Sequence, residues 1–309
     1  MSAGPLTQLL LVKRPLILDG AMGTELQRRG ANVGLPLWSA HPLLEHLELV
    51  LQVHMDYLDA GADIITADTF RTTPRTFRRA GAPDRSQEMT ARAIGLARLA
   101  RETVSRRPAL IAASMGPLED CYRPDLVPAE EELEDEHGQQ ARRLSEGSDF
   151  LLLETIGTVR EAVAVCRAAR EAGKEFVISF LCREEGSLYS GEPLEAAVEL
   201  VAPFAPAAIS VNCTPARTLG RALATLADAT TLPLGAYGNV GIAGGEQGEP
   251  FVRDVREGEY VWCALEWLTL GASIIGGCCG TTPEYIRRLA QAFPGNDLPS
   301  TALGFQGAS

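Results

Sequence analysis

Two adjacent cysteines carry the most distinctive chemistry in this chain. Cys278 and Cys279 lie in Gly276-Gly277-Cys278-Cys279-Gly280-Thr281-Thr282-Pro283. Vicinal cysteines make a strained disulfide, but both thiolates reach one metal ion if the backbone can bend, and the flanking glycines let it. A short apolar run, Ala272-Ser273-Ile274-Ile275, precedes the pair. Thr282, Pro283 and Glu284 then suit an N-cap, a first helical position and a first turn. The pair therefore sits where a strand ends and a helix begins. Cys213 offers a third soft ligand. Three thiolates without a fourth protein ligand match a zinc site with an open position, and soft ligands favour Zn²⁺ over Mg²⁺. Two blander readings compete. Cys213 is a small buried residue and the pair a bystander, or residues 277–282 cradle a phosphate at the helix start. Phosphate calls for backbone N–H groups rather than two thiols.

Something must bring Cys213 to that pair across the intervening chain. One short pattern recurs: a glycine, a small or polar residue, then an apolar run, as in Gly61-Ala62-Asp63-Ile64-Ile65 and Gly271-Ala272-Ser273-Ile274-Ile275. Glycine caps a helix, and a buried parallel strand reads as a continuous apolar run. The pattern predicts strands at 16–19, 63–67, 109–114, 150–154, 175–181, 207–212, 234–237 and 273–276. Helices are predicted at 43–59, 86–104, 128–145, 158–172, 193–203, 216–229, 258–270 and 283–293. Eight β/α units without a linker predict a single (β/α)8 TIM barrel over residues 1–309, with a frayed tail at about 296–309. An open doubly wound sheet is the runner-up. In a barrel the strand ends meet at one mouth. Here they bring Asp19, Asp68, Ser114, Glu154, Asn212, Cys213, Asn239, Cys278 and Cys279 together. Loops 115–128 and 238–257 would cover that mouth. The second contains Gly241, Gly244, Gly245 and Gly248 and reads as a mobile loop.

Asp19 and Glu154 each end an apolar strand, where a charge is costly without a partner. The plain reading is a structural, hydrogen-bonded carboxylate. The functional reading is a clamp for the ammonium group of a substrate. Asn212 and Asn239 join them as candidate substrate-binding residues. Neither lysine, Lys13 or Lys174, stands at a strand end, which argues against Schiff-base chemistry. His41, His46, His54 and His137 fall on predicted helices or their approaches, which argues against a histidine-ligated metal or a catalytic triad. The chain has 309 residues, 46% hydrophobic residues and a net charge of -12. That charge argues against nucleic acid as a partner. No run is long enough to span a membrane, and seven cysteines without small-domain spacing fit a reducing, cytoplasmic setting.

With these residues in view, the chain resembles the zinc-dependent homocysteine S-methyltransferase family over roughly residues 13–293. Gly276-Gly277-Cys278-Cys279-Gly280-Thr281 and Val211-Asn212-Cys213 carry the resemblance. Leu18-Asp19-Gly20-Ala21-Met22-Gly23-Thr24-Glu25, Leu37-Trp38-Ser39-Ala40 and Ile178-Ser179-Phe180 support it. The resemblance implies a (β/α)8 barrel, zinc on Cys213, Cys278 and Cys279, and Asp19 and Glu154 on the homocysteine amino group. It implies that zinc lowers the pKa of the homocysteine thiol, which then attacks a methyl group in line. A sulfonium donor leaves neutral and needs no general acid. The length and Leu37-Trp38-Ser39-Ala40 look like the short branch that uses S-methylmethionine or S-adenosylmethionine. Three positions depart from the family's usual pattern: Asp68 where Asn is frequent, Met115-Gly116-Pro117 in a context usually small and Ser-rich, and Gly238 where Pro is frequent.

The first expectation is thus a methyl transfer from a sulfonium donor to homocysteine, giving methionine. A second keeps the zinc chemistry with a betaine-like donor, a cobalamin or folate carrier protein, or another thiol or selenol acceptor. A third is a non-catalytic zinc- or thiol-binding barrel that serves a separate methyl carrier.

Overall fold

A computed structural model describes residues 3–12, 15–104, 108–242 and 251–294. Lys13, Gly244, Gly245, Gly248 and the tail 296–309 lie outside the described residues. Eight parallel strands form one sheet: β1 (Leu16–Ile17), β2 (Ile64–Ala67), β3 (Leu110–Met115), β4 (Phe150–Ile156), β5 (Phe176–Leu181), β6 (Ala208–Pro215), β7 (Leu234–Asn239) and β8 (Ala272–Gly277). Each pairs with its sequence neighbour from β2 to β8, and β8 pairs with β1. A parallel bridge between Leu18 and Ile64 joins β1 to β2, so the sheet closes into the expected barrel.

Parallel strands need helical crossovers, and each expected helix forms within a few residues of its place. They cover the outside, where Val50, Val53, Ala97, Leu144, Val165, Val198, Leu219, Leu223, Ala264 and Ile286 bury one face of each against the sheet. One helix expected over 43–59 is broken at His46 into Pro42–Glu45 and Leu47–Ala60, because His46 leaves the helical region at φ -136. Strand alternation puts a second apolar set inside: Leu16, Leu18, Ile64, Leu110, Ala112, Phe150, Leu152, Val177, Ala208 and Ile274.

A short helix that the sequence pattern does not predict, α1 (Pro5–Val12), closes the foot of the barrel. Its Leu6, Leu9 and Leu10 join the inner cluster. The Glu175 carboxylate, just before β5, accepts from Leu6 N, Thr7 N and Thr7 Oγ1. The two backbone N–H groups are orphan donors of a helix start, and an anion there also meets the positive end of the dipole. No described helix is long and apolar enough to cross a membrane.

Candidate metal centre

Part of the candidate site is set at two places where the strand ladder slips. Pairing shifts between Leu153 and Ile156 on β4 and between Asn212 and Pro215 on β6. Such bulges re-aim side chains, and they are over-represented at barrel rims. Thr155 and Cys213 sit inside them at φ 65 and φ 53, in the left-handed region. Asn212 holds both bulges. Its Oδ1 accepts from Thr155 N (2.9 Å) and Ser179 Oγ (2.8 Å), and its Nδ2 donates to Thr155 Oγ1 (2.8 Å). These bonds offset backbone strain of the order of 1–3 kcal/mol per residue. β6 therefore runs on to Pro215, beyond the expected end at 212.

Cys278 and Cys279 follow β8 on a turn that the rest of the mouth fixes. Gly280 has φ 83, and a Cβ on it would lie 2.0 Å from the Phe251 ring. Only glycine fits there. Thr281 Oγ1 donates to Cys278 O (2.7 Å) and accepts from Ala21 N (3.1 Å). The Asn239 side chain spans the two cysteine strands, donating to Cys213 O (2.8 Å) and accepting from Cys279 N (3.0 Å). Cys278 N donates to Gly238 O (3.1 Å).

The three sulfurs consequently converge. They all lie within 4.8 Å of one another, and Cys213 Sγ is 2.7 Å from Cys278 Sγ. That exceeds a disulfide length, and all three cysteines are free. Hydrogen bonds from Cys213 and Cys278 push the Cys279 thiol well below the usual range, while Cys213 is pushed up by its bond with Cys278. Three soft, half-buried donors aimed at one point fit a thiophilic metal ion, and the set can hold one.

Two carboxylates stand beside the thiols. Asp19 is buried and accepts from Thr66 N (2.7 Å) and Thr66 Oγ1 (2.8 Å). Glu154 accepts from Ser114 Oγ and from Tyr237 OH (3.2 Å). Loss of water raises Asp19 to about 8 and Glu154 to about 7, and the Cys278 charge adds to the second shift. Burial likewise raises Asp68 to about 7; its Oδ2 meets no partner. Acids held this way gain from a cationic ligand.

All seven candidate residues reach the mouth. The asparagines arrive with their bonds directed at the protein itself. Sequence reasoning missed Thr66, Thr155 and Tyr237. Thr66 and Tyr237 are polar interruptions in apolar strands, a signal that period-two alternation makes readable. The groups acting electrostatically on Tyr122 include Cys121 of its own loop as well as Cys213, Cys278 and Cys279. Loop 115–128 thus passes beside the site.

Comparison with known proteins agrees with this geometry. Residues 16–293 match the family described as homocysteine S-methyltransferase. Homocysteine S-methyltransferase YbgG of Bacillus subtilis (strain 168) is 33% identical over 308 residues, covering 93% of this chain and 96% of that protein. Selenocysteine Se-methyltransferase of Brassica oleracea var. italica is 31% identical over 302 residues, covering 88% and 87%. The metallated form of the homocysteine methyltransferase MmuM from Escherichia coli superposes with a TM-score of 0.80 at 32% identity, covering 92% of this chain and 99% of that one.

Proposed function

The chain belongs to the homocysteine S-methyltransferase family, and from that premise we propose the reaction in full. It moves a methyl group from a sulfonium donor, S-methylmethionine or S-adenosylmethionine, to the thiol of homocysteine, giving methionine. The observation that carries this reading is the convergence of Cys213, Cys278 and Cys279 beside two buried carboxylates. Zn²⁺ held by the three cysteines would supply a Lewis acid that makes a substrate thiol ionise near neutral pH.

The chain's own residues do the rest. Asp19 and Glu154 take the substrate ammonium group, and the bonds from Thr66, Ser114 and Tyr237 fix their direction. Placing the head group places the sulfur, which is the entropic part of catalysis. Asn239 and Asn212 keep the cysteine frame in register. A sulfonium leaves as a neutral thioether, so no proton need be delivered to it. A reducing, cytoplasmic setting suits three thiols that must stay unoxidised.

The test is a donor and acceptor panel on zinc-loaded protein. We expect about one zinc per chain, in line with a single three-cysteine site, and methionine from homocysteine with a sulfonium donor. Selenocysteine, betaine and a carrier-bound methyl group are the comparison arms. Zinc-loaded protein that methylates no thiol with any of them overturns the reading.

A further inference from the structure

We propose that the Arg71 guanidinium binds the α-carboxylate of an amino-acid substrate at the barrel mouth, an inference that rests on the methyl-transfer reading above. Arg71 lies four residues beyond the end of β2, on the side of the barrel where the cysteines sit. Its guanidinium stands over the Phe70 ring, 5.3 Å from the centroid. That ring fills the space at Gly116, where a Cβ would come within 2.4 Å of it. Arg71 Nη1 donates to Glu119 O (3.2 Å) in loop 115–128. Arg71 Nε is buried and meets no acceptor.

Its neighbours show what a satisfied arginine looks like here. Arg75 donates to the carboxylates of Glu119 (2.9 Å) and Glu136 (2.7 Å), and Arg79 also ends on Glu119. Arg71 touches Glu119 only through a backbone oxygen. A buried donor with no partner costs about 1–3 kcal/mol, so its persistence points to a ligand. The Cys121 thiol, on the same loop, feels the positive charge of Arg71 and the charge of Cys278. Cys121 thus lies within electrostatic reach of both Arg71 and the cysteine cluster.

Charge balance indicates the ligand. Among the described residues, Asp19, Asp68, Glu154 and three thiols line the mouth, which gives an ammonium group many partners and leaves a carboxylate few cationic ones. Arg253, the cation beside the cysteine turn, is committed to Gly280 O (2.7 Å). Homocysteine and the sulfonium donors are amino acids and carry both charges. A guanidinium fork matches a carboxylate, and the unpaired Nε is one prong of it.

Two substrate pairs test this and separate the sources of the carboxylate. The acceptor pair is homocysteine and 3-aminopropane-1-thiol. The donor pair is S-methylmethionine and (3-aminopropyl)dimethylsulfonium. For Arg71→Gln we expect KM, and the equilibrium Kd measured by calorimetry, to rise on the order of 10- to 100-fold for the carboxylate-bearing member of one pair. Its decarboxylated partner should change by less than about 3-fold, a shift too small for a lost charged hydrogen bond. Arg71→Lys should fall between Gln and wild type. The pair that responds names the substrate held. Equal changes within both pairs, or none, overturn the assignment. Calorimetry needs no turnover, so wild-type protein that binds these compounds without methylating them would sink the proposed function and still decide the role of Arg71.

Discussion

The two ends of the barrel use charge in opposite ways. At the foot, the Glu175 carboxylate meets three donors from α1, and Leu6, Leu9 and Leu10 seal the interior. At the mouth, Asp68 Oδ2 and Arg71 Nε are buried without partners, and burial raises three acids far above their ordinary range. Thr155 and Cys213 hold left-handed backbone there. The foot is closed, and the mouth is built to be completed by something else. A barrel divides its labour this way because the strand ends at one face carry the loops and the chemistry, while the other face carries stability.

The sharpest break of that contrast is Cys279→Ser. It should abolish metal retention and lower turnover by more than about 1,000-fold, in line with removal of a group that acts only with its partners. The melting temperature of the metal-free protein should stay nearly unchanged, since the thiol is at the rim. Full zinc occupancy in the variant would refute the ligand set. The converse change is Leu9→Ala at the foot. Deleting that buried side chain should cost about 2–5 kcal/mol in denaturant unfolding and leave zinc content and KM untouched. A Leu9→Ala protein with normal stability but impaired turnover would erase the division between the ends.

Asp19→Asn probes the mouth from the side of charge. Loss of a charged hydrogen bond to an ammonium group should raise the homocysteine KM about 10- to 100-fold. Its effect on stability should have the opposite sign. Folding lifts Asp19 from 3.8 to about 8. Between those values the unfolded chain has released its proton and the folded chain has kept it. Stability of the ligand-free protein therefore falls as pH rises from about 4 to 8. Asp19→Asn should flatten that slope, with Glu154 and Asp68 supplying the remainder up to about 7. An unchanged slope, read from urea midpoints across that pH range, would mean the acid is not neutral in the folded state. The smallest effect belongs to Glu175→Gln. It weakens the cap of α1 and should cost about 1 kcal/mol without altering metal or substrate binding.

Much of this is legible in the order of the residues. The barrel follows from repeated glycine-capped helices and apolar runs, because a crossover unit leaves that pattern in every copy. Seven of the eight strands lie within about two residues of their expected ends, and β6 runs on to Pro215 because of its bulge. Cys278 and Cys279 announce themselves by type and adjacency, and Asp19 and Glu154 by ending apolar strands. Helix α1 escapes such a reading because its eight residues are too few to show a clear period. The asparagines fall at the right end of the barrel, but their bonding partners come from other strands. Asn239 reaches Cys213 and Cys279.

Residue type and local spacing were enough to establish which groups can do chemistry and the periodicity that carries them to one face of one barrel. Both are written along the chain. How those groups are loaded depends on the closed barrel. The left-handed turn at Cys213, the convergence of three sulfurs, the raised acids and the unpaired Arg71 Nε all arise from neighbours tens or hundreds of residues away. Burial and bond partners exist only once the strands have met. They decide which groups at the mouth still lack a partner, and those are the ones a substrate can supply.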